Sequence, residues 1–273
     1  MSIRDALVLN LRAAWARAYV RIVGANREPT WILFDTLLPL LALSAYVFVY
    51  RAMEAPPEFT GFVILGGAMT AYWMNVLWSM ASQFYWEKMS GQLELFLIAP
   101  MSRMAILLGM AVGGLFMTTS RAVSALILGC LIFGVRFQVT SPLMLILIFF
   151  LTMVSLYGMG MMFSSLFLMW GREAWHLSSL LQEPVYLLSG FYFPVSGLGF
   201  WAAAIASLIP LTLGLDGMRQ LLFGPKAQGF LPLRWEIIAL LFLCAFFLLF
   251  AGKGLRLMEE KGKREGTITA RWQ

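Results

Sequence analysis

Residues 83–104, QFYWEKMSGQLELFLIAPMSRM, interrupt two long apolar runs of the chain. They carry four charged residues: Glu87, Lys88, Glu94 and Arg103. Leu93, Phe96 and Leu97 recur at helical spacing before Pro100, which predicts a short amphipathic helix over about 86–100. We expect this helix to lie at the membrane surface, where it can offer an apolar face to a partner.

The composition on either side of this stretch indicates an integral membrane protein. Of the 273 residues, 60% are hydrophobic and 12% are charged, and the mean hydropathy is +0.80. A soluble domain carries roughly twice that charged fraction. Several apolar runs reach the ~20 residues that a helix needs to cross a hydrocarbon core ~30 Å thick. The net charge of +6 therefore points to membrane topology and anionic lipid rather than to nucleic acid.

The apolar pattern predicts an all-α fold in three parts. Residues 1–30 suit an amphipathic interfacial helix, 31–256 a six-span transmembrane domain, and 257–273 a basic tail. The six predicted spans cover about 31–50, 60–82, 105–134, 143–168, 175–192 and 235–251. Between the last two, residues 193–232 are apolar but broken by proline and glycine, which favours a re-entrant helical pair.

The distribution of lysine and arginine orients these spans. With the amino terminus in the cytosol, 14 of the 20 basic residues fall inside, five fall outside, and Arg121 lies within a span. This bias favours cytosolic termini. It also places residues 83–104 in the cytosol and residues 193–232 on the outer side.

Two motifs resemble those of bacterial type-2 ABC exporter permeases. The run Glu87…Gly91-Gln92-Leu93-Glu94…Ala99-Pro100-Met101-Ser102-Arg103 is similar to their cytosolic loop, E-x-x-x-G-T-L-E-x-L-x-x-(T/A)-P-x-S-R, with Gln92 where threonine is common. Residues 188–224 resemble the family's outer motif, L-S-G-x-x-F-P…P-L-T-x-x-x-D-x-x-R-x-x-x-x-G. The residues that carry this external re-entrant motif are Ser189, Gly190, Pro194, Pro210, Asp216 and Arg219.

The resemblance implies a transport subunit driven from outside the chain. In that family the cytosolic loop is a coupling helix that docks into a groove on a separate ATPase, which binds ATP and Mg. It implies two such ATPase subunits, a second permease copy or a related permease, and a bacterial plasma (inner) membrane. The residues it assigns to the ATPase contact are Glu87, Gly91, Gln92, Leu93, Glu94, Phe96, Pro100 and Arg103. Judged by spacing alone, the same stretch also suits a solvated connector.

The sequence offers no catalytic machinery of its own. It has no G-x-x-x-x-G-K-[ST] motif to cradle phosphates, no H-E-x-x-H motif, and a single histidine, His176, which we interpret as interfacial or packed. An intramembrane enzyme or lipid transferase would need polar catalytic residues clustered at one depth. An ion-coupled transporter would favour paired acidic sites in a repeated topology, and we find no convincing repeat. We therefore expect neither an enzyme nor a metal or cofactor site in this chain.

Charges within spans are costly and usually face the protein interior or water. The candidate pathway residues are Asp35, Tyr72, Trp78, Arg121, Gln182, Glu183 and Tyr186. Glu183, beside Pro184, either lines the pathway or pairs with Arg121. The aromatic residues either stack on a substrate or form an interfacial belt. Asp216 and Arg219, three residues apart, are expected to pair structurally.

The expected substrate is an amphipathic or hydrophobic small molecule or lipid, because the 18 methionines suit adaptable apolar surfaces. Export of a polysaccharide or lipid-linked glycan by the same architecture is the alternative, for which the aromatic residues are the supporting feature.

Overall fold

The structure, a computed structural model, describes residues 3–27, 29–170 and 174–265, and every regular element among them is helical. The α-helices are α1 (Ile3–Asn26), α2 (Pro29–Ala52), α3 (Glu58–Met74), α4 (Gln83–Met89), α5 (Gln92–Ile98), α6 (Arg103–Phe133), α7 (Pro142–Trp170), α8 (Ala174–Leu188), α9 (Phe200–Ala206), α10 (Pro210–Phe223) and α11 (Leu233–Glu265). A π-helical segment, Asn75–Ala81, joins α3 to the turn before α4.

Within these ranges four helical stretches are long and apolar enough to cross a membrane. They are Glu58–Met89, Arg103–Phe133, Pro142–Ser165 and Leu233–Leu257. The chain is therefore a multi-pass membrane protein, as its composition predicts. The apolar part of α2, Thr36–Ala52, is shorter, and α8 has 15 residues, so the count of six spans stays a prediction.

The stretch Glu58–Met89 is the centre of the bundle. Of its apolar window 83% is buried, against 22% for α6 and 28% for α11, whose apolar outer faces are left for lipid. Glycines let neighbours approach α3 closely. A Cβ at Gly66 would lie 1.5 Å from the carbonyl oxygen of Phe191, and one at Gly67 would lie 2.2 Å from Leu43. A side chain at either position would push the central helix away from its neighbours.

Helix α1 packs lengthwise against α6, while its expected position in the headgroup plane stays a prediction. A Cβ at Gly109 would lie 2.3 Å from the Ala14 carbonyl oxygen, and one at Gly113 would lie 3.1 Å from that of Ala18. Small residues spaced four apart on both helices are a known means of close packing in membranes. The apolar residues of α1 therefore differ in burial: Ala18 is buried, whereas Leu7 is 60% exposed.

Several boundaries differ from the predicted ones for local reasons. Helix α8 stops at Leu188 rather than near residue 192, because Gly190 adopts a left-handed conformation with φ +66°. Helix α11 continues without a break to Glu265, so the last span and part of the predicted tail form one helix. Helix α6 ends where expected, at a left-handed Gly134 with φ +73°.

Residues 193–232 contain a sharply bent pair of helices, and their re-entrant course stays a prediction. Helix α9 and the stretch Pro210–Ala227 meet at 110° across a short break, and they reach the length of a span only when taken together. Pro210 opens α10, where a missing backbone N–H costs nothing. Ten of the fourteen positions of α10, Pro210 to Arg219, are buried without interruption, so this helix lies inside the protein.

Candidate functional site

Residues 83–102 form two short helices, α4 and α5, rather than one helix over about 86–100. They meet at Gly91, whose φ of 75° is a left-handed conformation that suits glycine. After α5 the chain becomes extended at Ala99 and Ser102 and then enters α6 at Arg103. We call residues 83–102 the coupling segment.

The inner face of the coupling segment is held by α1 and the core. Leu93 is 4% exposed, and Phe96 packs beneath the guanidinium of Arg17, with 5.4 Å from the Arg17 Cζ to its ring centre. Glu87 is 2% exposed, forms an ion pair with Arg17, and accepts a hydrogen bond of 2.9 Å from Gln83 Nε2. Glu87 and Leu93 were predicted to contact a partner, which stays a prediction; in this structure both side chains are buried against their own chain.

The outer face of the coupling segment is apolar and was not predicted. Trp86, Met89, Leu95 and Ile98 are 50%, 46%, 63% and 81% exposed. Helical spacing pointed to the apolar stripe through Leu93. The segment has a second apolar stripe, and it is this second stripe that is exposed. We call these four residues the outer apolar surface, where outer means facing away from the rest of the chain.

The remaining predicted contact residues are distributed between the two faces. Gln92 and Pro100 are exposed, whereas Gly91 and Arg103 are partly buried. The side chain of Glu94 lies outside what the structure describes.

A buried polar network lies above the coupling segment, at the π-helical segment. Arg21 of α1 donates a hydrogen bond to Ser79 Oγ, and the Tyr157 hydroxyl of α7 donates one of 3.1 Å to Asn75 Oδ1. Burial of its guanidinium lowers the pKa of Arg21 below its ordinary value. A Cβ at Gly114 would lie 2.6 Å from Asn75 Oδ1, so α6 also closes tightly on this network. The polar Asn75 within an apolar run was the one sequence signal for it.

Three of the seven candidate pathway residues form a continuous hydrogen-bonded chain. Trp78 Nε1 donates to Gln182 Oε1 over 2.7 Å, and Gln182 Nε2 donates to Glu183 Oε1 over 3.2 Å. This chain joins the π-helical segment to α8. Glu183 at its end is exposed on the bundle surface. Both roles weighed for Glu183, lining the pathway and pairing with Arg121, stay predictions.

The other candidates lie elsewhere. Tyr72 is 2% exposed, donates to Thr119 Oγ1 over 3.0 Å, and lines a cavity of about 420 Å³ bounded by apolar side chains of α3, α6, α7 and α10. Tyr186 lies 5.4 Å from the Phe191 ring, centre to centre. Arg121 is partly buried on α6, within electrostatic reach of Arg21. The side chain of Asp35 lies outside the described residues.

The external motif converges on Arg219, which is 1% exposed. Its guanidinium donates to the carbonyl oxygens of Phe191 at 2.8 Å, Phe193 at 3.0 Å and Phe62 at 3.3 Å. Asp216 accepts a hydrogen bond of 2.7 Å from the backbone N–H of Phe230. Asp216 and Arg219, which were expected to pair with each other, therefore form these hydrogen bonds with backbone atoms of other segments.

The other motif residues form the loop that Arg219 fixes. Ser189, Gly190 and Pro194 are buried around the turn before α9. Arg219 therefore ties this turn and α3 to α10.

Fold and site together define a multi-pass membrane protein in which α10 is buried and the coupling segment carries an exposed apolar surface. The model of the ABC-2 type transporter family matches residues 10–223, which are 214 of the 273 residues. The chain belongs to the ABC-2 type transporter family. It is accordingly the membrane permease of an ABC transporter, which works with an ABC ATPase and is not itself that ATPase. No curated protein matches the chain significantly.

Proposed function

We propose that this chain is the permease subunit of a bacterial ABC exporter that moves an amphipathic or hydrophobic small molecule or lipid out of the cytosol or the inner leaflet. Two ATPase subunits bind ATP and Mg and supply the energy. A second permease copy, or a related permease, completes the pathway. The chain lies in the plasma (inner) membrane with six spans and both termini in the cytosol.

The outer apolar surface is the observation that carries this proposal. An exposed apolar patch marks a site of contact with another protein or with the membrane, and on this segment we assign it to the ATPase. The surface belongs to a segment that Arg17 ties to α1 and that is continuous with the π-helical segment and with α6. Movement of an ATPase docked there would therefore reach three helices of the bundle at once.

Glu183 supports a pathway between two permease copies. An ionisable group at membrane depth is rarely left facing lipid. Helix α8 exposes Glu183, and the turn that follows α8 contacts α2 where the rings of Tyr46 and Tyr192 stack at 4.1 Å between their centres. Helix α2 exposes Leu41 at 68% on its outer side. In the assembled transporter this combined face would meet the second copy and leave Glu183 beside the pathway.

The substrate class is supported by the cavity beside Tyr72. Its lining includes Met69, Phe149 and Met218, and its size of about 420 Å³ suits a small apolar molecule or part of an acyl chain. The alternative substrate, a polysaccharide or lipid-linked glycan, is favoured by the chain from Trp78 to Glu183, because an indole beside polar acceptors suits sugar rings and hydroxyls.

Co-purification tests the docking surface. The permease and the ATPase subunit of the same transporter are co-expressed, and the triple variant Trp86→Ala/Leu95→Ala/Ile98→Ala is compared with wild type. We expect affinity to fall by about a hundredfold, as for the loss of interface hot spots. The control is Leu131→Ala/Ile132→Ala, two residues that are 75% and 63% exposed near the far end of α6. Equal binding by the triple variant and the control would contradict the proposal.

A further inference from the structure

Two carboxyl groups lie buried together where the re-entrant segment meets the last span. Asp216 of α10 is 2% exposed, and Glu236 in the first turn of α11 is 0% exposed. Gln220 Nε2 donates to Glu236 Oε1 over 2.9 Å, while the Phe230 N–H donates to Asp216 Oδ2. One oxygen of each group is thereby satisfied.

The second oxygen of each group is buried without such a donor. Among the described residues, neither Asp216 Oδ1 nor Glu236 Oε2 receives a hydrogen bond from an N–H group or hydroxyl. The two carboxyl groups nevertheless lie side by side, since Glu236 Oε2 packs against the backbone of Gly217, the residue after Asp216. Gly217 permits this approach, because a Cβ there would lie 2.6 Å from Glu236 Oε2.

The surrounding charges can balance one anion but not two. Arg219, one turn along α10, interacts electrostatically with Asp216 and is itself committed to three carbonyl oxygens. The α7 side chains closest to α10 here, Ile148 and Thr152, are neutral.

Among the described residues, the nearby cation Arg234 is exposed and lies over the Trp235 ring, 5.9 Å from its centre, so it does not neutralise the buried pair. Residues 229–231 present backbone atoms and the Gln220 contact to the pair. Lys226 forms an ion pair with Glu58, and Tyr50 of α2 interacts electrostatically with Arg219 rather than with the two acids. Two adjacent buried carboxylates facing one guanidinium would leave an uncompensated negative charge, which costs several kcal/mol.

We propose that Asp216 and Glu236 together bind one proton, which Glu236 carries on Oε2 and donates in a hydrogen bond to Asp216 Oδ1. This proton satisfies both remaining oxygens and leaves a single carboxylate, on Asp216, opposite Arg219. It joins α10 to α11 at the outer end of the bundle. The site holds for any substrate that the transporter carries, and it does not depend on the proposed function.

The proposal makes the two acids unequal. Glutamine at 236 can donate from its amide to Asp216 Oδ1 and accept from Gln220, so Glu236→Gln replaces the protonated acid in shape and hydrogen bonding. Asparagine at 216 would direct an N–H₂ donor towards Glu236, which would then have to be ionised, and Arg219 would lose its carboxylate. We therefore expect Asp216→Asn to lower the unfolding midpoint by roughly 10 °C, and Glu236→Gln to shift it by no more than about 3 °C.

Infrared spectroscopy of the full-length permease in lipid nanodiscs tests the site directly. At neutral pH the carbonyl stretch of a protonated carboxylic acid should be present. It should move when glutamate is labelled with ¹³C at its side-chain carboxyl, and the component from this site should vanish in Glu236→Gln. Glu183→Gln, at an exposed position, is the matched control and should leave that component unchanged.

Three results would overturn the proposal. The first is a neutral-pH spectrum in which the glutamate label moves no protonated-acid band. The second is the same band in Glu236→Gln as in wild type. The third is failure of Glu236→Gln to fold, because a protonated glutamate tolerates this replacement whereas an ionised one does not.

Discussion

Arg17 of α1 forms an ion pair with Glu87 of α4, which lies 70 residues later in the sequence, and the Glu87 side chain is 2% exposed. This pair connects the helix that runs along α6 to the segment that carries the outer apolar surface. Because Phe96 also packs against Arg17, one side chain holds both α4 and α5. The position of the coupling segment is thus set from within the chain before any partner binds.

Removing Arg17 should therefore loosen the coupling segment. Arg17→Ala leaves the Glu87 carboxylate buried without its cation, a change that costs about 3–5 kcal/mol for a buried pair. We expect a lower unfolding midpoint and weaker stimulation of the partner's ATP hydrolysis by substrate. Thermal unfolding of the purified permease and ATPase assays of the reconstituted transporter measure the two effects.

The double variant separates the charge from the packing. In Arg17→Ala/Glu87→Gln no buried anion remains, so it should be more stable than Arg17→Ala alone. Arg12→Ala, at an exposed position of the same helix, is the control and should match wild type within about 0.5 kcal/mol. A double variant no more stable than the single one would show that the ion pair does not hold the segment.

Local sequence patterns could predict much of this fold but not how its parts meet. The ends of α6 lie within two residues of the predicted span over 105–134. The charged Arg103 marks where the apolar run begins, and Gly134 marks where the helix ends. The inward face of the coupling segment depends on Arg17, 70 positions before Glu87, and no local period contains that information. A helix in a membrane protein can have two apolar stripes, so hydropathy does not show which stripe packs against the rest of the chain.

The external motif shows the same limit at Arg219. Its spacing from Asp216 allowed a pair on one helical face, whereas the structure directs the guanidinium to three carbonyl oxygens from residues 62, 191 and 193. The carbonyl oxygens of residues 191 and 193 are free to accept because Gly190 and the following turn leave the helical ladder, whereas that of residue 62 lies within α3. A motif can indicate that an arginine is needed, but tertiary packing determines which acceptors it satisfies.

Lysine should not replace Arg219. An ammonium lacks the planar fork that reaches three separated carbonyl oxygens, and it cannot lie in the same way over the Phe62 ring, 4.9 Å from the guanidinium. We expect Arg219→Lys to destabilise the protein by about 2–4 kcal/mol, since buried carbonyls lose charge-assisted hydrogen bonds. Chemical or thermal unfolding in detergent measures this loss. Arg136→Lys, at an exposed loop position, is the matched control, and an equal effect of both substitutions would contradict the bridging role of Arg219.

Gly66 should tolerate no side chain. A Cβ there would lie 1.5 Å from the carbonyl oxygen of Phe191, so α3 and the turn after α8 would have to separate. We expect Gly66→Ala to cost about 3 kcal/mol or more, at the upper end for overpacking. Gly252→Ala, in α11 with no atom within 4 Å, should be neutral or stabilising by up to about 1 kcal/mol. Comparable unfolding midpoints for the two variants would show that α3 does not pack against this turn.

Glu183 offers the sharpest test of where substrate passes. Its carboxylate is exposed at the end of the chain from Trp78 through Gln182, so Glu183→Ala removes a charge without opening the core. We expect folding and ATPase binding to be unchanged and export to fall roughly tenfold, the effect of about 1.4 kcal/mol of lost differential binding. Glu54→Ala, an exposed carboxylate between α2 and α3, is the matched control. Transport measured in vesicles separates the outcomes: normal export by Glu183→Ala would place the pathway elsewhere, whereas loss in Glu183→Ala with normal export in Glu54→Ala would place it at the exposed face of α8.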